Sequence, residues 1–501
     1  MQPLDTYNQH LIQQVHPPDW ANPTPQSEYD LVVIGAGTAG LVIAAGSAGL
    51  GIGLKIALIE RDYMGGDCLN VGCVPSKCLI RSARAAYEVK QASQLGVIAQ
   101  AMSVDFDLVM ARMRKVRAGI SHHDSAQRFK DLGIDVFFGE AKFADRHNIT
   151  VNNQTLKFKK AAIAAGARAV RPDVPGLATA GYLTNETVFS LTERPKRLAV
   201  IGGGPIGCEL AQTFHRLGSE VTLIHKNHHL LDKEDPDAAA IVQNQFQAES
   251  LAFYLNANLQ SVDTTPDGKQ LTIQTSQGTQ ILTVDEILIG AGRQPNVETL
   301  NLAAIGIDYH PRKGITVNDY LQTSQPHIYA AGDCCMDWRF THAADFAARI
   351  VIKNALFAPF GLGKSKLSDL TMPWVTYTSP EIAHVGLYEH QAQQPTTTIT
   401  IPMDTVDRAL TDGETTGFVK ILLRKGSDQI LGATIVSSHA GEMISEITTA
   451  MAGKMGLAKL ASVIHPYPTQ ADAIRKAADA YRRTLLSDRT RSLLRLLTTL
   501  S

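Results

Sequence analysis

The chain is poor in cysteine and carries almost no net charge: its 501 residues include six cysteines, and the formal charge is −1. So few cysteines in so long a chain do not make a disulfide scaffold, which points to a reducing compartment. No apolar run reaches transmembrane length, and the first twenty residues lack the charged and apolar regions of a signal peptide. Basic residues form no long run outside the C-terminus, so nucleic acid is not an expected partner. These absences predict a soluble, cytoplasmic protein without a membrane attachment.

A glycine-rich turn between two short apolar runs is the first motif. The runs 30–34 and 55–59 predict buried parallel strands, and the second ends in Glu60. An alanine-rich helical stretch begins at the turn between them. This order of strand, turn, helix, strand and acid is the dinucleotide fingerprint, in which the backbone approaches a pyrophosphate and Glu60 accepts from a ribose hydroxyl. The glycines of the turn are Gly35, Gly37 and Gly40.

The same pattern recurs over residues 198–224. Two such units in one chain imply two dinucleotides. An NAD-binding unit usually has an acid at the end of the second strand, whereas His225 and Lys226 stand there in this chain. With a cation for a 2′-phosphate and no acid for a 2′-hydroxyl, NADPH is predicted rather than NADH. The glycines of this second turn are Gly202, Gly204 and Gly207.

Residues 65–78, GGDCLNVGCVPSKC, carry the candidate redox chemistry. Cys68 and Cys73 are five residues apart, close enough to bridge if the first helical turn is distorted. A thiol near a helix N-terminus is favoured as thiolate, and Lys77 adds a cation one turn further on. Two alternatives remain open at this point: a pair of buried structural thiols, and a zinc half-site, although zinc spacings are usually CxxC.

Together, these motifs resemble those of the class I pyridine nucleotide–disulfide oxidoreductases, flavoenzymes that include glutathione reductase, dihydrolipoamide dehydrogenase and mercuric reductase. The resemblance extends over roughly residues 29–480. It implies an α/β fold with two Rossmann-like domains, for FAD and NAD(P)H, and a C-terminal α+β dimerisation domain. It also implies a homodimer with a shared active site and a redox-active Cys68–Cys73 disulfide. In that family Cys73 would be the thiolate beside the flavin, and Cys68 would meet the substrate.

Further site residues follow from the same resemblance. Glu209 matches a position that approaches the flavin and pairs with the motif lysine, here Lys77. An apolar strand ending in Asp333 matches the segment whose aspartate binds the ribityl chain. The FAD-site residues implied are Gly35, Gly37, Gly40, Glu60, Gly66, Lys77, Gly166, Asp333 and Ala343, and those for NADPH are Gly202, Gly204, Gly207, His225, Lys226 and Gly292.

The C-terminal segment departs from the disulfide reductases of the family. Those enzymes have a His-Pro-Thr-x-x-Glu pair for proton transfer, whereas this chain has Tyr467 and Asp472 at the two positions, with His465 nearby. A phenol is a poor proton shuttle at neutral pH, and mercuric reductases have tyrosine here. The resemblance therefore predicts a metal ion such as Hg(II) as electron acceptor, held at Cys68 and Cys73, with no structural metal. The alternatives are a disulfide reductase in which His465 does the proton work, and a redox-sensing flavoprotein.

The flanking regions lead to further expectations. Cys334 and Cys335 are expected to be buried, and Cys78 could be a thiol open to oxidation. The cluster of Lys and Arg at 112–117 predicts a solvated helix face. A chain of this length is expected to form about three domains. The boundaries predicted are an extended N-terminal arm over 1–28, FAD-binding segments over 29–178 and 298–371, an NAD(P)H domain over 179–297, a dimerisation domain over 372–481, and a basic amphipathic helix over 482–501.

Overall fold

The computed structural model describes residues 1–100 and 102–500, apart from the side chains at positions 489, 493 and 500. The helices are α1 (Thr6–Val15), α2 (Thr38–Ala48), α3 (Gly66–Asn70), α4 (Cys73–Gln91), α5 (Phe106–Ile120), α6 (Ala126–Asp131), α7 (Leu177–Ala180), α8 (Pro205–Arg216), α9 (Pro236–Ala248), α10 (Thr341–Leu356), α11 (Asp407–Asp412), α12 (Ala440–Ala452), α13 (Leu457–Leu460), α14 (Asp472–Thr484) and α15 (Asp488–Leu500).

The strands are β1 (Tyr29–Ile34), β2 (Ile56–Glu60), β3 (Ile134–Phe138), β4 (Ala141–Phe143), β5 (Asn148–Val151), β6 (Gln154–Ile163), β7 (Ala167–Ala169), β8 (Arg197–Ile201), β9 (Glu220–Ile224), β10 (Ala252–Tyr254), β11 (Asn258–Thr265), β12 (Gly268–Thr275), β13 (Gly278–Val284), β14 (Glu286–Ile289), β15 (Arg293–Pro295), β16 (Tyr309–His310), β17 (Gly314–Ile315), β18 (Ile328–Ala330), β19 (Pro373–Thr376), β20 (Glu381–Gly386), β21 (Thr396–Pro402), β22 (Phe418–Arg424) and β23 (Ile430–Ser437).

The first sheet is assembled from two distant parts of the chain. Its order is β3-β2-β1-β6-β5-β4, and β18 also pairs with β6, in parallel. Strands β1, β2, β6 and β18 run parallel, so their carboxyl ends meet at one edge, where ligands of such sheets bind. At this edge three neighbouring strands end at Ile34, Ile163 and Ala330. Ile34 leads into the first glycine turn, Ile163 is followed by Ala164, and Ala330 begins the segment that leads to Asp333.

Five smaller sheets accompany the first among the described residues, and three of them have the orders β11-β12-β13, β15-β7 and β16-β17. The second glycine turn lies on a parallel sheet of order β10-β9-β8-β14. The C-terminal region forms an antiparallel sheet of order β19-β20-β23-β22-β21, covered by α12 and α14. The predicted α/β class with two Rossmann-like units and a C-terminal α+β unit is confirmed.

The N-terminal region is not the extended arm that was predicted. Asp5 caps α1 by accepting from the Asn8 backbone N–H at 2.8 Å, and Leu11 and Val15, four residues apart, are fully buried. The proline-rich part beyond α1 is extended, and it follows β3, where Trp20 donates to the Val136 carbonyl at 3.1 Å. The prediction overlooked a cap and a short apolar stripe within a polar stretch.

The basic cluster at 112–117 was predicted to be a solvated face, which is right for the exposed Arg112 and Lys115 and wrong for the other two residues. Arg114 is 8% exposed and Arg117 is 2% exposed. Arg114 forms an ion pair with Asp5, so these two arginines lie in the interface between α5 and the N-terminal helix. These arginines are buried because α1, whose existence was not predicted, covers them.

At the other end of the chain, the described leucine side chains in and just before α15 are exposed to solvent in the protomer. Leu485 and Leu486 precede the helix and are exposed, as are Leu494, Leu496 and Leu497 within it. The described leucines of the predicted amphipathic helix therefore do not pack onto their own subunit. Within the described residues, no helix is both long and apolar enough to cross a membrane.

Candidate active site

The two motif cysteines lie on consecutive helices that face the first glycine turn. Cys68 is in the short helix α3, and Cys73 is the first residue of α4. Gly66, at φ +55°, brings the backbone so close to Gly37 that a Cβ at position 66 would lie 2.7 Å from the Gly37 Cα. Glycine is therefore required here because both the dihedral angle and the contact exclude a side chain. The redox segment and the dinucleotide turn thus form one surface.

The two sulfur atoms are electrostatically different. Both cysteines are free thiols in this structure. A hydrogen bond from Cys68 lowers the pKa of Cys73 to about 6, assisted by Thr341 and by the charge of Lys77, and opposed by burial. The same hydrogen bond, together with burial, raises the pKa of Cys68. Near neutral pH, Cys73 is therefore the thiolate and Cys68 the thiol that donates to it.

Thr341 completes the surroundings of the thiolate. Its Oγ1 lies 3.3 Å from the Cys73 Sγ, and it is the first residue of α10. Ala343, two residues further on, is fully buried in the core beside α2. Thr341 was not singled out from the sequence, because its contact with Cys73 spans 268 residues.

Lys77 and Glu209 are brought together from α4 and α8. Lys77 Nζ lies 2.9 Å from Glu209 Oε2. Burial opposes the charge of Lys77, but Glu209 outweighs it and raises the lysine pKa. Tyr377, also not predicted, lies with its ring 4.3 Å from the ammonium group and donates its backbone N–H to Glu209. The pair places a fixed positive charge one turn from Cys73.

The first glycine turn fits a bound dinucleotide. A Cβ at Gly40 would collide with the Gly35 carbonyl, so the helix packs tightly onto the strand. Gly37 precedes α2 and no side chain caps this end, which leaves its first N–H groups available for a pyrophosphate. Glu60 already accepts from the Ala36 N–H at 2.6 Å, and burial raises its pKa. Its carboxylate is held at the edge of the turn, where a ribose would lie.

A buried arginine joins the redox helix to the predicted ribityl-binding aspartate. Arg293 contacts the Asp67 carboxylate and lies 3.4 Å from Asp333 Oδ2. Burial raises the pKa of Asp333, and Arg293 acts in the opposite direction. The Nε of Arg293 is buried and finds no hydrogen-bond acceptor among the described residues, as expected where a polar ligand completes the site. Gly166, at φ +67°, has open space beside its Cα. These groups fit the polar middle of FAD.

The second glycine turn repeats the close packing of the first, with Gly207 against the Gly202 carbonyl. Gly204 precedes α8, again without a side-chain cap, and Gly292 is exposed on the neighbouring turn. This arrangement fits a second dinucleotide.

His225 does not lie where the sequence suggested. It is 6% exposed, its Nδ1 accepts from the Gly203 N–H at 3.0 Å, and burial lowers its pKa. His225 is therefore a neutral support of the turn and not a cation facing a phosphate. Lys226 is exposed at the end of β9. Asp232, which was not noticed in the sequence, lies within this loop and accepts from the Asn227 side chain.

Each of the C-terminal candidates bonds a different partner in the protomer. Tyr467 is 74% exposed and donates to Asp407 at 3.0 Å, which raises the tyrosine pKa. Asp472 is bound to Arg475 at 2.7 Å. The His465 ring is buried, with Nε2 at 2.8 Å from Glu446 and Nδ1 at 3.1 Å from the Val463 carbonyl. Tyr467 and Asp472 thus do not form a direct pair.

Of the remaining cysteines, Cys78, Cys208 and Cys334 are buried, whereas Cys335, which was expected to be buried, is half-buried. Cys334 is fully buried, and hydrogen bonding to it, followed by burial, raises the pKa of Cys335. Burial also raises the pKa of Cys78 and of Cys208. Cys78, Cys208 and Cys335 therefore have pKa shifts opposite to that of Cys73. Within the described residues, no group of three or more His, Cys, Asp or Glu side chains is arranged to hold a metal ion.

Comparison with known proteins agrees with this geometry. Residues 29–348 match the pyridine nucleotide-disulphide oxidoreductase family, and residues 372–478 match its dimerisation domain. A mercuric reductase of Staphylococcus aureus is 35% identical over 458 residues, which are 90% of this chain and 82% of that protein. A dihydrolipoyl dehydrogenase of Chlamydia muridarum is 32% identical over 462 residues, covering 90% of this chain and 96% of that protein.

A solved structure shares the fold at similar coverage. The Cu(II) complex of the HOCl-induced flavoprotein disulfide reductase RclA from Escherichia coli has a TM-score of 0.80 at 27% identity, covering 91% of this chain and 100% of that chain. The fold and site therefore define a flavoprotein oxidoreductase that uses FAD and NAD(P)H. The chain belongs to the pyridine nucleotide–disulphide oxidoreductase family, and it contains that family's dimerisation domain.

Proposed function

We propose that the chain is an NADPH-oxidising flavoenzyme that passes electrons through Cys68 and Cys73 to a soft metal ion such as Hg(II). The observation that carries this proposal is the state of the C-terminal segment. A disulfide acceptor leaves as thiolate and needs a proton, which a free imidazole usually supplies. Here Tyr467 occupies the expected position, and both nitrogens of His465 are already bonded within the chain. A metal ion needs no such proton.

The thiol pair suits the chemistry of soft metals. When bound, FAD accepts the hydride of the nicotinamide and supplies the electron pair that reduces the Cys68–Cys73 disulfide. The resulting thiol–thiolate pair loses the one proton on Cys68 as it binds Hg(II), because thiolates are the preferred ligands of such ions. Two electrons then pass from the dithiolate to the metal, the disulfide forms again, and Hg(0) leaves. Cys73 is ready for this role because it is already a thiolate near pH 7.

The residues around the pair have supporting roles. Lys77, fixed by Glu209, stabilises the negative charge on Cys73. Thr341 lies within hydrogen-bonding distance of the same sulfur. In the homodimer, Tyr467 of the partner subunit would line the acceptor pocket. The exposed apolar surface beside Tyr467, formed by Val463 and Ile464, is consistent with a subunit interface.

NADPH is the proposed coenzyme. The exposed Lys226 supports this choice because an ammonium group at the end of β9 can meet a 2′-phosphate. Asp232, the acid nearest to this position in the loop, is already engaged by Asn227. The buried His225 makes no contribution to phosphate charge, so the preference rests on the lysine.

A disulfide reductase is the second candidate, and one observation favours it. His465 and Glu446 form a histidine–carboxylate pair in the segment where disulfide reductases of the family have theirs. Such a pair could act as a general acid if the Nδ1 contact with Val463 opened. The dihydrolipoyl dehydrogenase relative and the RclA neighbour are consistent with this alternative.

Steady-state NADPH oxidation distinguishes the two candidates. Hg(II), Cu(II), lipoamide and glutathione disulfide are compared as acceptors, with Cys68→Ser and Tyr467→His beside the wild type. We expect turnover with a metal ion, its loss in Cys68→Ser, and little turnover with lipoamide in either the wild type or Tyr467→His. Efficient lipoamide reduction by the wild type would instead establish the disulfide reductase, and loss of that activity in His465→Gln would identify its acid.

A further inference from the structure

The first 28 residues lie outside the region matched to the family, yet α1 is firmly docked. Asn8, Leu11 and Val15 are all fully buried, so this helix covers part of the protein interior. The apolar residues account for its docking, because they join the core that contains Met64 and Leu69. Burial of an asparagine side chain costs free energy unless its polar atoms form hydrogen bonds.

Asn8 is used to hold a buried arginine against the redox helix. Its Oδ1 accepts from Arg117 Nη2 at 2.7 Å, and Arg117 Nη1 donates to the Asn70 carbonyl at 2.6 Å. Asn70 is the last residue of α3, the helix that carries Cys68. Carbonyl groups at a helix C-terminus have no partner within the helix, so a cation is well placed there. Asn8 therefore contacts α3 through a single guanidinium group.

A second connection leads from the end of α1 to the segment before Cys68. The Val15 carbonyl accepts from the Met64 N–H at 3.0 Å, and the His16 ring contacts the Asp62 carbonyl. The Asn70 side chain links the two connections, since it donates to the Met64 carbonyl at 3.0 Å and to the Gly66 carbonyl at 2.9 Å. The segment from residue 62 to residue 70 is thus fixed at both ends by α1.

We propose that α1 is a positioning element for the redox pair, and that Asn8 and His16 are positioning residues. The inference rests on the proposed role of Cys68 and Cys73. The hydrogen bond from Cys68 that keeps Cys73 a thiolate depends on the placement of α3 relative to α4. Without the Asn8 acceptor, a buried guanidinium N–H loses its partner, and Arg117 turns away from Asn70 to find another. The C-terminal end of α3 then becomes mobile, and the hydrogen bond from the Cys68 thiol to the Cys73 thiolate weakens.

The test measures the pKa of Cys73 in the FAD-loaded full chain. Reduced family members of this kind show a long-wavelength absorption band from a thiolate beside the oxidised flavin, hereafter the thiolate band, and its pH midpoint reports that pKa. We expect Asn8→Leu to raise the midpoint by about one pH unit, so that the thiolate fraction well below the midpoint falls about tenfold. Asn8→Asp keeps the acceptor for Arg117 but loses the donor to the Pro3 carbonyl, and it should shift the midpoint less than Asn8→Leu.

Two further variants control for general destabilisation. His16→Phe keeps the ring stacked on Phe138 and removes only the contact with Asp62, so the midpoint should rise less than in Asn8→Leu. His10→Ala alters an exposed residue of the same helix and should leave the midpoint unchanged.

The outcomes separate this inference from the proposed function. A wild type without a thiolate band would remove the redox-pair assignment itself. A wild type with the band, and unchanged midpoints in Asn8→Leu and His16→Phe, would overturn the positioning role alone. If Asn8→Leu does not fold, the midpoint of His16→Phe decides.

Discussion

Lys77 and Glu209 form an ion pair of 2.9 Å between a helix of the first glycine-turn unit and a helix of the second. Lys77 follows Cys73 by one helical turn, and Glu209 follows the glycine turn predicted to bind the nicotinamide coenzyme. The pair therefore connects the two dinucleotide units beside the candidate redox sulfur. The two charges act on Cys73 in opposite directions, since Lys77 lowers its pKa and Glu209 raises it.

Substitutions of the two partners should move the thiolate band in opposite directions. In Lys77→Met the midpoint rises above about 6, because the cation that stabilises the thiolate is gone. In Glu209→Gln it falls, because Lys77 then acts without compensation. Tyr377→Phe serves as the control, since it keeps both the ring over Lys77 and the backbone N–H bound to Glu209. Midpoints that shift in the same direction would contradict this account of the pair.

Arg293→Met should weaken the retention of FAD. The substitution leaves the Asp67 and Asp333 carboxylates near each other without their shared cation. We expect the dissociation constant for FAD to increase at least about tenfold, which corresponds to about 1.4 kcal/mol. Equilibrium dialysis followed by measurement of flavin per protomer gives the value. Arg168→Met is the matched control because its pairing with Glu298 is largely exposed and contributes little. Equal FAD retention in both variants would refute the role of Arg293.

Two residues of the loop after β9 should have different roles: Lys226 sets the coenzyme specificity, and His225 supports the glycine turn. Lys226→Ala is expected to raise KM for NADPH about tenfold and to leave KM for NADH unchanged, because only NADPH carries the phosphate. His225→Ala should weaken both coenzymes, because it removes the acceptor of the Gly203 N–H in the glycine turn. Steady-state kinetics with each coenzyme provide the comparison. A higher kcat/KM for NADH in the wild type would rule out the NADPH proposal.

The carboxyl group of Glu234 is buried at the junction with the C-terminal sheet, and its replacement by an uncharged side chain is predicted to stabilise the protein in a pH-dependent way. Glu234 accepts from Trp374 at 3.1 Å and from Tyr388 at 2.8 Å, and burial raises its pKa. Adjacent His384 offers no charge, because burial lowers its pKa to about 4. A carboxyl group whose pKa is raised on folding stabilises the protein fully only below its unfolded pKa. That contribution to the stability is lost as the pH rises through the pKa of the group in the folded protein.

Glu234→Gln should therefore raise the free energy of unfolding by about 1 kcal/mol at pH 8 and have little effect near pH 4. Urea unfolding at the two pH values measures the difference. Glu234→Leu leaves the Trp374 and Tyr388 donors without an acceptor and should destabilise the protein by about 2 kcal/mol at pH 4, and by about 1 kcal/mol less at pH 8, where the wild type has lost its own contribution. An equal effect of Glu234→Gln at pH 4 and pH 8 would mean that this carboxyl group does not change its pKa on folding.

Local patterns made much of the fold predictable from the sequence. Both glycine turns are recognisable because the strand, the turn and the next strand follow one another within about thirty residues. Cys68 and Cys73 could be paired for the same reason. The features that were missed depend on distant partners. Arg117 was assigned to a solvated face because Asn8, its acceptor, lies 109 residues away. His225 was assigned to a phosphate because burial cannot be deduced from a loop of polar residues.

The contacts of the C-terminal candidate site residues could likewise not be predicted from the sequence. Tyr467, His465 and Asp472 were identified by their order in the chain, yet each has a partner that the order does not reveal. Tyr467 contacts Asp407, 60 residues earlier, and His465 contacts Glu446 on α12. The contacts of His465, on which the proposal of a metal acceptor rests, could be recognised only in three dimensions.

The absorption spectrum of the purified protein during anaerobic reduction by two electrons tests the central claim most directly. Because the pKa of Cys73 is lowered to about 6, the wild type should develop the thiolate band as the pH rises through that value and lose it below. Cys68→Ser should show the band without reduction, because Cys73 can no longer form the disulfide, and Cys73→Ser should lack it at every pH. A protein that binds FAD but gives no band at pH 8, or keeps the band in Cys73→Ser, would contradict the assignment of Cys73 as the thiolate of the redox pair.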